Sequence, residues 1–245
     1  MEASVLHPGI FSDYPMIRAG LSIKSGKTSD PHDMNMSYKV GDESSRVDKN
    51  RRIFFSDLGV SESDLAVPLQ CHSSAIKIIR SPGEYNDCDA LITNVKEVAL
   101  GITIADCVPI LIFDPVNEIV AAVHAGWRGT QGRITEKTID ILVHEYSSNP
   151  SHVRAFIGPS AGACCYEVSE EVAVLFNNKI VPYSNQRFFL DLKKENKIQL
   201  QKQGLSDINI EVSPSCTICE KEKYHSYRRD GKKSGRMLAI ISMIN

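Results

Sequence analysis

The sequence predicts an α+β fold in a single domain that spans residues 1–245. Segments with the apolar, β-branched character of strands are mixed with segments of helical periodicity, without the regular alternation of a doubly wound fold. The composition, 42% hydrophobic and 24% charged, is that of a globular chain. The sequence contains no internal repeat and no low-complexity linker that would divide it into two domains.

Several apolar segments predict β-strands. The most apolar stretch, 98–113, is interpreted as two buried strands separated at Asp106, and it is too short and too interrupted for a membrane span of about 20 residues. Residues 91–104, 108–113 and 119–123 are predicted strands, and turn residues at 114–117 join the last two in an antiparallel hairpin. Further strands are predicted at 75–79, 153–157, 208–212 and 238–243.

Three segments predict helices. Residues 134–142 place apolar side chains on one helical face, and the Asn-Pro pair at 149–150 ends the run. Ser169 is predicted to cap a second helix that continues to residue 176. Asp191 is predicted to cap a third helix that reaches Gln203, and Gly204 then takes the C′ position.

The charge balance excludes several classes of partner. The chain has 28 basic and 30 acidic side chains, and a net charge of −2 offers no electrostatic basis for binding nucleic acid or an anionic membrane. Residues 1–11 lack the basic and apolar regions of a secretory signal, so we expect a cytoplasmic, reducing location. Residues 24–52 are polar and mixed in composition, and we expect them to form long surface loops.

The predicted hairpin brings two kinds of metal ligand to its open end. Cys107 precedes one strand and His124 lies at the end of the next, so the two meet in an antiparallel pair. His72, just before the strand at 75–79, is a candidate third ligand. Two imidazoles and one thiolate leave one position of a tetrahedral zinc ion open, as in catalytic sites. The spacing alone also allows a buried apolar cysteine and two ordinary hydrogen-bonded histidines.

The other cysteines carry weaker signals. Cys216 and Cys219 form a CxxC pair, which occurs in zinc ribbons and in redox sites. A ribbon needs a second such pair, and joint ligation by the adjacent Cys164 and Cys165 is sterically awkward. We therefore expect these four to be ordinary loop thiols, and the same holds for the isolated thiols at positions 71 and 88.

Two basic segments are candidates for anion binding. Arg228 lies in the basic run at 227–233, and a guanidinium is well shaped for phosphate or carboxylate. Arg128 lies close to His124 and before a predicted helix, where it could serve the same purpose. The alternative for the basic run is a solvated surface. The glycine-containing segment 158–162 matches neither a Walker A motif nor GxGxxG, so we expect a packing turn there.

Several collinear motifs resemble the YfiH-like family, which has been called multicopper polyphenol oxidase or laccase-domain and, more recently, purine nucleoside phosphorylase. They are CDALIT at 88–93, TIADCVPI at 103–110, VAAVHAGWRGT at 120–130, IGP at 157–159 with CCYEV at 164–168, and SYRRDG at 226–231 with GRM at 235–237. Weaker similarities lie at 18–20, Asn35, 40–42 and 50–51. The resemblance spans nearly the whole chain.

The resemblance implies a layered α/β/β/α domain, with a mixed β-sheet core flanked by helices. It implies zinc ligands at His72, Cys107 and His124. It further implies that the substrates are purine nucleosides and phosphate. Adenosine, inosine and methylthioadenosine would be cleaved to the free base and ribose 1-phosphate, with adenosine deamination as an associated activity.

These reactions assign hypothetical roles to further residues. Deamination needs proton transfer near an activated water, for which Asp106 is the candidate acid. Phosphorolysis needs a cationic clamp, for which Arg228 and Lys24 are the candidates. Arg128 and Asn35 complete the predicted substrate contacts.

Two positions depart from the family pattern. The usual STRxGG is SIKSGK at 22–27, so Lys24 offers a point charge where an arginine would bind an anion through two hydrogen bonds. The usual QVHG is QCHS at 70–73, so Ser73 replaces a glycine and the backbone after His72 has less freedom. Both departures bear on substrate preference.

Two other functions remain open from the sequence. His and Cys ligands are also consistent with a copper-dependent polyphenol oxidase, although one set of three ligands is far from the several sites that four-electron oxygen reduction requires. A non-catalytic metal-binding protein is the other alternative. The sequence does not indicate a protein partner, an oligomeric state or the preferred nucleoside.

Overall fold

The computed structural model describes residues 5–28, 30, 32–177 and 180–245. The strands in this part of the chain are β1 Val5–Leu6, β2 Ile17–Ser22, β3 Leu65–Pro68, β4 Ile76–Ile78, β5 Gly83–Tyr85, β6 Ala90–Thr93, β7 Ala99–Ile104, β8 Val108–Asp114, β9 Ile119–Ala125, β10 Arg154–Ile157, β11 Glu167–Val168, β12 Tyr183–Ser184, β13 Arg187–Phe189, β14 Ile210–Val212 and β15 Met237–Met243. The helices are α1 Ser44–Leu58, α2 Trp127–Gln131, α3 Ile134–Tyr146, α4 Glu170–Ala173, α5 Leu192–Lys202 and α6 Tyr227–Asp230. Short 3-10 turns lie at Gly9–Phe11, Glu62–Asp64, Asp207–Asn209 and Gly231–Lys233.

Two six-stranded sheets form the centre of the fold. The first has the strand order β1-β2-β15-β7-β3-β5, and the second has the order β14-β10-β8-β9-β6-β4. Both sheets mix parallel with antiparallel pairs, since β3 runs parallel to β7 in the first and β4 runs parallel to β6 in the second. A third, three-stranded sheet is formed by β11, β13 and β12.

The alternation of side chains along β8 explains the layers. Leu111 and Phe113 belong to the core cluster that also contains residues of the first sheet, whereas Ile110 and Ile112 belong to the cluster that contains residues of α3 and α5. Successive side chains of a strand point to opposite faces, so β8 is buried on both sides. Helix α1 covers the outer face of the first sheet through a separate cluster that includes Phe54. The α+β class and the layered α/β/β/α arrangement are therefore confirmed.

Several predicted elements are confirmed. Strands β8 and β9 form the predicted antiparallel hairpin, and the break at Asp106 separates β7 from β8. Helices α3 and α5 occur where the sequence predicts them, α3 from its periodicity and α5 from its cap at Asp191. The Asp191 side chain accepts a hydrogen bond from Lys194 N at the start of α5, and Gly204 has φ +100° beyond its end.

Other predicted elements are wrong in part. Residues 91–104 are not one strand, because a turn with Glu97 at φ +61° separates β6 from β7 and the two strands lie in different sheets. Residues 24–52 are not only loops, since α1 begins at Ser44 and buries an apolar stripe that starts at Val47. The helix after Ser169 has four residues, and the Ser169 side chain makes no capping bond. The strand predicted at 208–212 begins only at Ile210, because a 3-10 turn occupies 207–209.

Among the described residues, no helix is both long and apolar enough to cross a membrane. The first four residues of the 1–11 segment, on which the expectation of a missing signal partly depends, lie outside the described residues.

Candidate metal and substrate site

The three candidate ligands meet at the open end of the β8–β9 hairpin. Cys107 lies in the turn before β8, and the register pairs Pro109 with His124 on β9. His72 reaches the same place from the loop after β3. The ligand atoms of the three side chains lie within 4.8 Å of one another, and the two imidazole rings meet edge to face with centroids 5.0 Å apart. The structure therefore brings together the three residues that the sequence singles out.

Two local backbone features make this approach possible. His72 has φ +60°, a left-handed conformation that non-glycine residues rarely adopt, and it turns the imidazole toward Cys107. A Cβ atom on Gly126 would lie 3.1 Å from Cys107 Sγ and 3.4 Å from His72 Cδ2. Glycine at 126 thus leaves the room in which the ligands meet.

Asp89 organises two of the three ligands. Its carboxylate is fully buried and accepts hydrogen bonds from His124 Nδ1 at 2.9 Å and from the backbone N of His72 at 3.0 Å. The backbone N and the Oγ of Ser73 donate to its other oxygen at 2.6 and 2.8 Å. Because Nδ1 of His124 is engaged by Asp89, Nε2 is the nitrogen left to face Cys107. A carboxylate behind a histidine ligand fixes its tautomer and ring orientation.

The departure at Ser73 therefore has a different consequence from the expected one. The left-handed residue is His72 itself, while Ser73 has an ordinary negative φ. Its hydroxyl adds a hydrogen bond to Asp89 that glycine could not make. The substitution adds a contact to the group that orients the ligands.

The electrostatics of the cluster favour an anionic sulfur. Burial raises the pKa of the Cys107 thiol, but the positive charge and hydrogen bonds of His124 and His72 outweigh burial and lower it. Burial likewise lowers the pKa of His124, but Cys107 and Asp89 outweigh burial and raise it. Burial also raises the pKa of Asp89, yet the hydrogen bonds from His124 and Ser73 hold it well below its usual range. The result is a thiolate beside a cationic imidazole, and a bound metal ion would take the place of the proton between them.

The cluster opens into a cavity of about 660 Å³, a volume typical of small-molecule sites. The cavity is lined by Ser37, Lys39, Val40, Gln70, His72, Thr103, Ala105, Asp106, Cys107, His124, Trp127, Arg128, Tyr166, Tyr227, Arg228 and Arg236. The guanidinium of Arg228 lies 5.3 Å from the ring centroid of Tyr166 and donates to the Glu167 carbonyl at 2.6 Å. Arg128 lies 4.3 Å from the ring centroid of Trp127. These contacts place cationic groups around the candidate ligands.

Asp106 also lines the cavity, but both of its oxygens are engaged. Oδ1 accepts from Thr217 Oγ1 at 2.6 Å, and Oδ2 accepts from the backbone N of Arg228 at 2.6 Å. Its φ of +87° is left-handed. The carboxylate thus joins the turn before β8 to the segment that carries Arg228.

Two of the predicted substrate contacts are not among the residues that line the cavity in the described part of the chain. Lys24 Nζ donates to the carbonyl of Lys221 at 3.2 Å. Asn35 is fully buried, and its Oδ1 accepts from the backbone N of Arg236 at 2.9 Å. Asn35 therefore reaches the cavity through Arg236, a lining residue.

Sequence reasoning assigned no role to Asp89, Lys39, Tyr166 or Arg236. Asp89 and Tyr166 lie within the CDALIT and CCYEV motifs, so the motifs pointed to their segments without showing what they do. Arg236 lies in GRM, and Lys39 lies in a polar loop without a signal of its own.

The expectation that adjacency makes joint ligation by Cys164 and Cys165 awkward is also wrong. The turn begun at Gly162, whose carbonyl accepts from the backbone N of Cys165 at 2.9 Å, brings both sulfurs against Cys219. These three thiols and Cys216 form a second group whose sulfurs all lie within 4.8 Å of one another.

The chain is similar to known proteins along nearly its full length. Residues 18–244 match the family described as multi-copper polyphenol oxidoreductase laccase. Purine nucleoside phosphorylase YlmD of Bacillus subtilis strain 168 is 33% identical over an alignment of 246 positions, gaps included, that covers 92% of this chain and 88% of that protein. Adenosine deaminase RL5, from an unknown prokaryotic organism, is 33% identical over an alignment of 226 positions, gaps included, that covers 85% of this chain and 86% of that protein.

Two solved structures are also similar to this chain over nearly its full length. YlmD from Geobacillus stearothermophilus has a TM-score of 0.91 at 30% identity, covering 100% of this chain and 98% of that chain. The hypothetical protein YfiH of Bacillus licheniformis has a TM-score of 0.90 at 30% identity, covering 99% and 97%. The chain therefore belongs to the multi-copper polyphenol oxidoreductase laccase family, the YfiH-like family that its motifs resemble.

Proposed function

We propose that this chain is a zinc-dependent purine nucleoside enzyme that cleaves nucleosides with phosphate to the free base and ribose 1-phosphate, and that also deaminates adenosine. One observation carries the proposal: His72, Cys107 and His124 line the same cavity as three arginines, at 128, 228 and 236. Relatives named purine nucleoside phosphorylase and adenosine deaminase support the substrate class. The proposed substrates are adenosine, inosine and methylthioadenosine.

The donor set fits zinc. One sulfur and two imidazole nitrogens are ligands that zinc prefers, and three protein ligands leave a position for water or substrate. The thiolate of Cys107 and the Asp89 carboxylate behind His124 supply the negative charge that a cation needs. When bound at these residues, zinc supplies a Lewis acid that activates water for deamination.

The residues of the chain itself would bind and orient the substrates. Arg228 is held by the Glu167 carbonyl and the Tyr166 ring, so its remaining N–H groups are available to a phosphate at little further entropic cost. The rings of Tyr166 and Tyr227 line the cavity and offer apolar surfaces for a purine. Bringing phosphate and the anomeric carbon together in one site lowers the barrier through orientation.

Asp106 is proposed first as a positioning residue, because its two oxygens connect Thr217 with the backbone of Arg228. Its predicted role in proton transfer requires that it release one of these two partners. An Asp106→Asn variant separates the two roles. Loss of positioning raises the KM for phosphate, whereas loss of proton transfer lowers kcat for adenosine deamination.

The proposal is tested with the Cys107→Ala variant, assayed by chromatography of products from inosine with phosphate and from adenosine. We expect loss of both activities with an unchanged circular dichroism spectrum. Cys88→Ala is the matched control, because Cys88 is buried between the sheets and lies outside the described cavity lining. Full activity of Cys107→Ala would refute the assignment.

Copper-dependent phenol oxidation is a second candidate, because the family description names a polyphenol oxidoreductase. Within the described residues, only one of the groups that could hold a metal contains histidine. Oxidised phenol that depends on added copper, without nucleoside cleavage, would favour this candidate. No turnover of any of these substrates would favour a non-catalytic metal-binding protein.

A further inference from the structure

Outside the candidate catalytic site, four thiols converge from two distant segments. Cys164 and Cys165 lie in the turn after β10, and Cys216 and Cys219 lie in the loop between β14 and α6. Cys219 Sγ lies 3.6 Å from Cys164 Sγ and 3.1 Å from Cys165 Sγ, and all four sulfurs are within 4.8 Å of one another. In a tetrahedral site with Zn–S bonds of about 2.3 Å, the sulfurs are about 3.8 Å apart. The spacing therefore suits one metal ion.

The backbone around Cys216 is arranged for an anionic sulfur. The N–H of Gly162 donates to Cys216 Sγ at 3.3 Å, which connects the turn after β10 to the CxxC segment. Hydrogen bonds to the charged form of a group favour that form, so this donor favours a thiolate at Cys216. Such donors orient the ligands of a metal site.

The described residues around the four sulfurs do not neutralise the negative charge that four thiolates would carry. Lys193 is buried and interacts electrostatically with Cys216 and Cys164, but its ammonium donates to the carbonyls of Ser213 and Ser215 at 2.7 and 2.9 Å. The Lys193 ammonium therefore offsets part of the negative charge without lying between the four sulfurs. Several thiolates this close repel one another unless a cation lies between them. A soft divalent cation supplies that charge, and four sulfur ligands select zinc over harder ions.

We propose that Cys164, Cys165, Cys216 and Cys219 bind a second zinc ion in a closed tetrathiolate site. Four protein ligands leave no position for substrate, so the site is structural. On binding, the four thiols release their protons to solvent and their sulfurs donate electron pairs to zinc, with no change of oxidation state. The group also lacks a place for a larger metal cluster, because all its sulfurs already lie within 4.8 Å of one another.

The position of this site gives it a function. One of the two joined segments continues into Tyr166, which lines the cavity. The other contains Thr217, which donates to Asp106 and accepts from Arg229 through its carbonyl at 2.8 Å. Thr217 N also donates to the Ser160 carbonyl at 3.0 Å, which is a main-chain bond between the two segments. The second zinc ion thus fixes two segments that frame the cavity.

The proposal is tested by the zinc content of the purified protein, measured by mass spectrometry of the metal. We expect two zinc ions in each wild-type chain and one in Cys107→Ala. In Cys164→Ser/Cys219→Ser, whose changed thiols are both exposed, we also expect one. The combined triple variant should contain none. Cys88→Ala, which removes a buried thiol outside both groups, should keep two.

Cobalt substitution adds a readout that does not depend on activity. The sulfur-to-cobalt charge-transfer absorption grows with the number of thiolate ligands, so Cys107→Ala loaded with cobalt should keep most of the wild-type intensity. Thermal melting of each variant, with and without zinc, checks that the chain is folded.

Three results would overturn the proposal. One is equal zinc content in Cys107→Ala and the triple variant. Another is an intact mass that is two hydrogens lighter per chain than after reduction, with a disulfide mapped to this group. The third is iron in place of zinc at the group. A different outcome would separate the two proposals. If the wild-type chain contains one zinc ion and Cys107→Ala retains it, the proposed catalytic metal is refuted and the second site is supported.

Discussion

Replacing Asp89 by asparagine should weaken zinc binding while leaving the cavity in place. The carboxylate is fully buried and accepts from His124 Nδ1 at 2.9 Å on one oxygen and from Ser73 N and Oγ on the other. An asparagine of the same shape keeps one acceptor for Ser73 and turns its NH₂ group toward Nδ1 of His124. The imidazole must then carry its proton on Nε2, the nitrogen that faces Cys107, and loses the lone pair that a metal needs.

The magnitude follows from the role of this carboxylate. Loss of a hydrogen-bond partner behind a metal-bound histidine lowers metal affinity by about 10- to 100-fold, which corresponds to about 1.4–2.7 kcal/mol. The unfolding free energy should fall as well, by about 3–5 kcal/mol, because a buried ion pair loses one member. The pKa of Asp89 lies well below its usual range because the hydrogen bonds from His124 and Ser73 outweigh burial, so the charged form is the one that is lost.

The assay is competition for zinc against a chromophoric chelator, with urea unfolding of the metal-free protein measured in parallel. Asp114→Asn is the matched control. Asp114 is equally buried and accepts from Val116 N at 2.9 Å and from Asn117 Nδ2 at 2.8 Å, at the turn end of the same hairpin. The control should lose stability and keep its zinc affinity. Wild-type zinc affinity in Asp89→Asn, or an equal loss in Asp114→Asn, would show that Asp89 does not act through the ligands.

Three further predictions each concern a single residue. Gly126→Ala places a Cβ 3.1 Å from Cys107 Sγ, and metal sites tolerate shifts of only about 0.2 Å. We expect zinc affinity to fall about 10-fold in the chelator assay. An unchanged affinity would contradict this. Ser73→Gly removes the 2.8 Å bond to Asp89 and should lower the unfolding free energy by about 1 kcal/mol in urea, whereas a gain in stability would show that the hydroxyl is not stabilising. Burial lowers the pKa of His225 from 6.5 to about 3. Between these two pH values the unfolded chain binds a proton at His225 that the folded chain does not bind, so the stability falls as the pH decreases through this range. Between pH 7 and pH 5 the wild type should lose about 2 kcal/mol that His225→Phe does not lose, and parallel pH profiles of urea unfolding would refute the linkage.

Local sequence was sufficient for the elements that depend on nearby residues. The β8–β9 hairpin is fixed by alternating apolar residues and by a turn in which Asp114 accepts from the backbone N of Val116. The sequence alone therefore predicts that Cys107 and His124 lie side by side. Helix α5 was equally predictable, because its cap at Asp191 lies within the helix's own first turn. The prediction of one domain over residues 1–245, the cytoplasmic location and the substrate roles stay predictions.

Helix α1 was missed because its apolar residues are separated by charged ones, and its burial is decided by the outer face of the first sheet. The strand prediction at 91–104 failed for a related reason, since apolar character does not show that β6 and β7 belong to different sheets.

The sequence by itself determined the α+β class, the hairpin that joins Cys107 to His124, and the motifs that place the chain in its family. The tertiary structure alone decided that Asp89 stands behind His124, and that thiols about fifty residues apart, at 164–165 and 216–219, form one group. The physical reason is that pairing within a hairpin is set by residues close in sequence. Contacts between distant loops depend instead on how the two sheets and their connecting turns pack, and no local pattern records that packing.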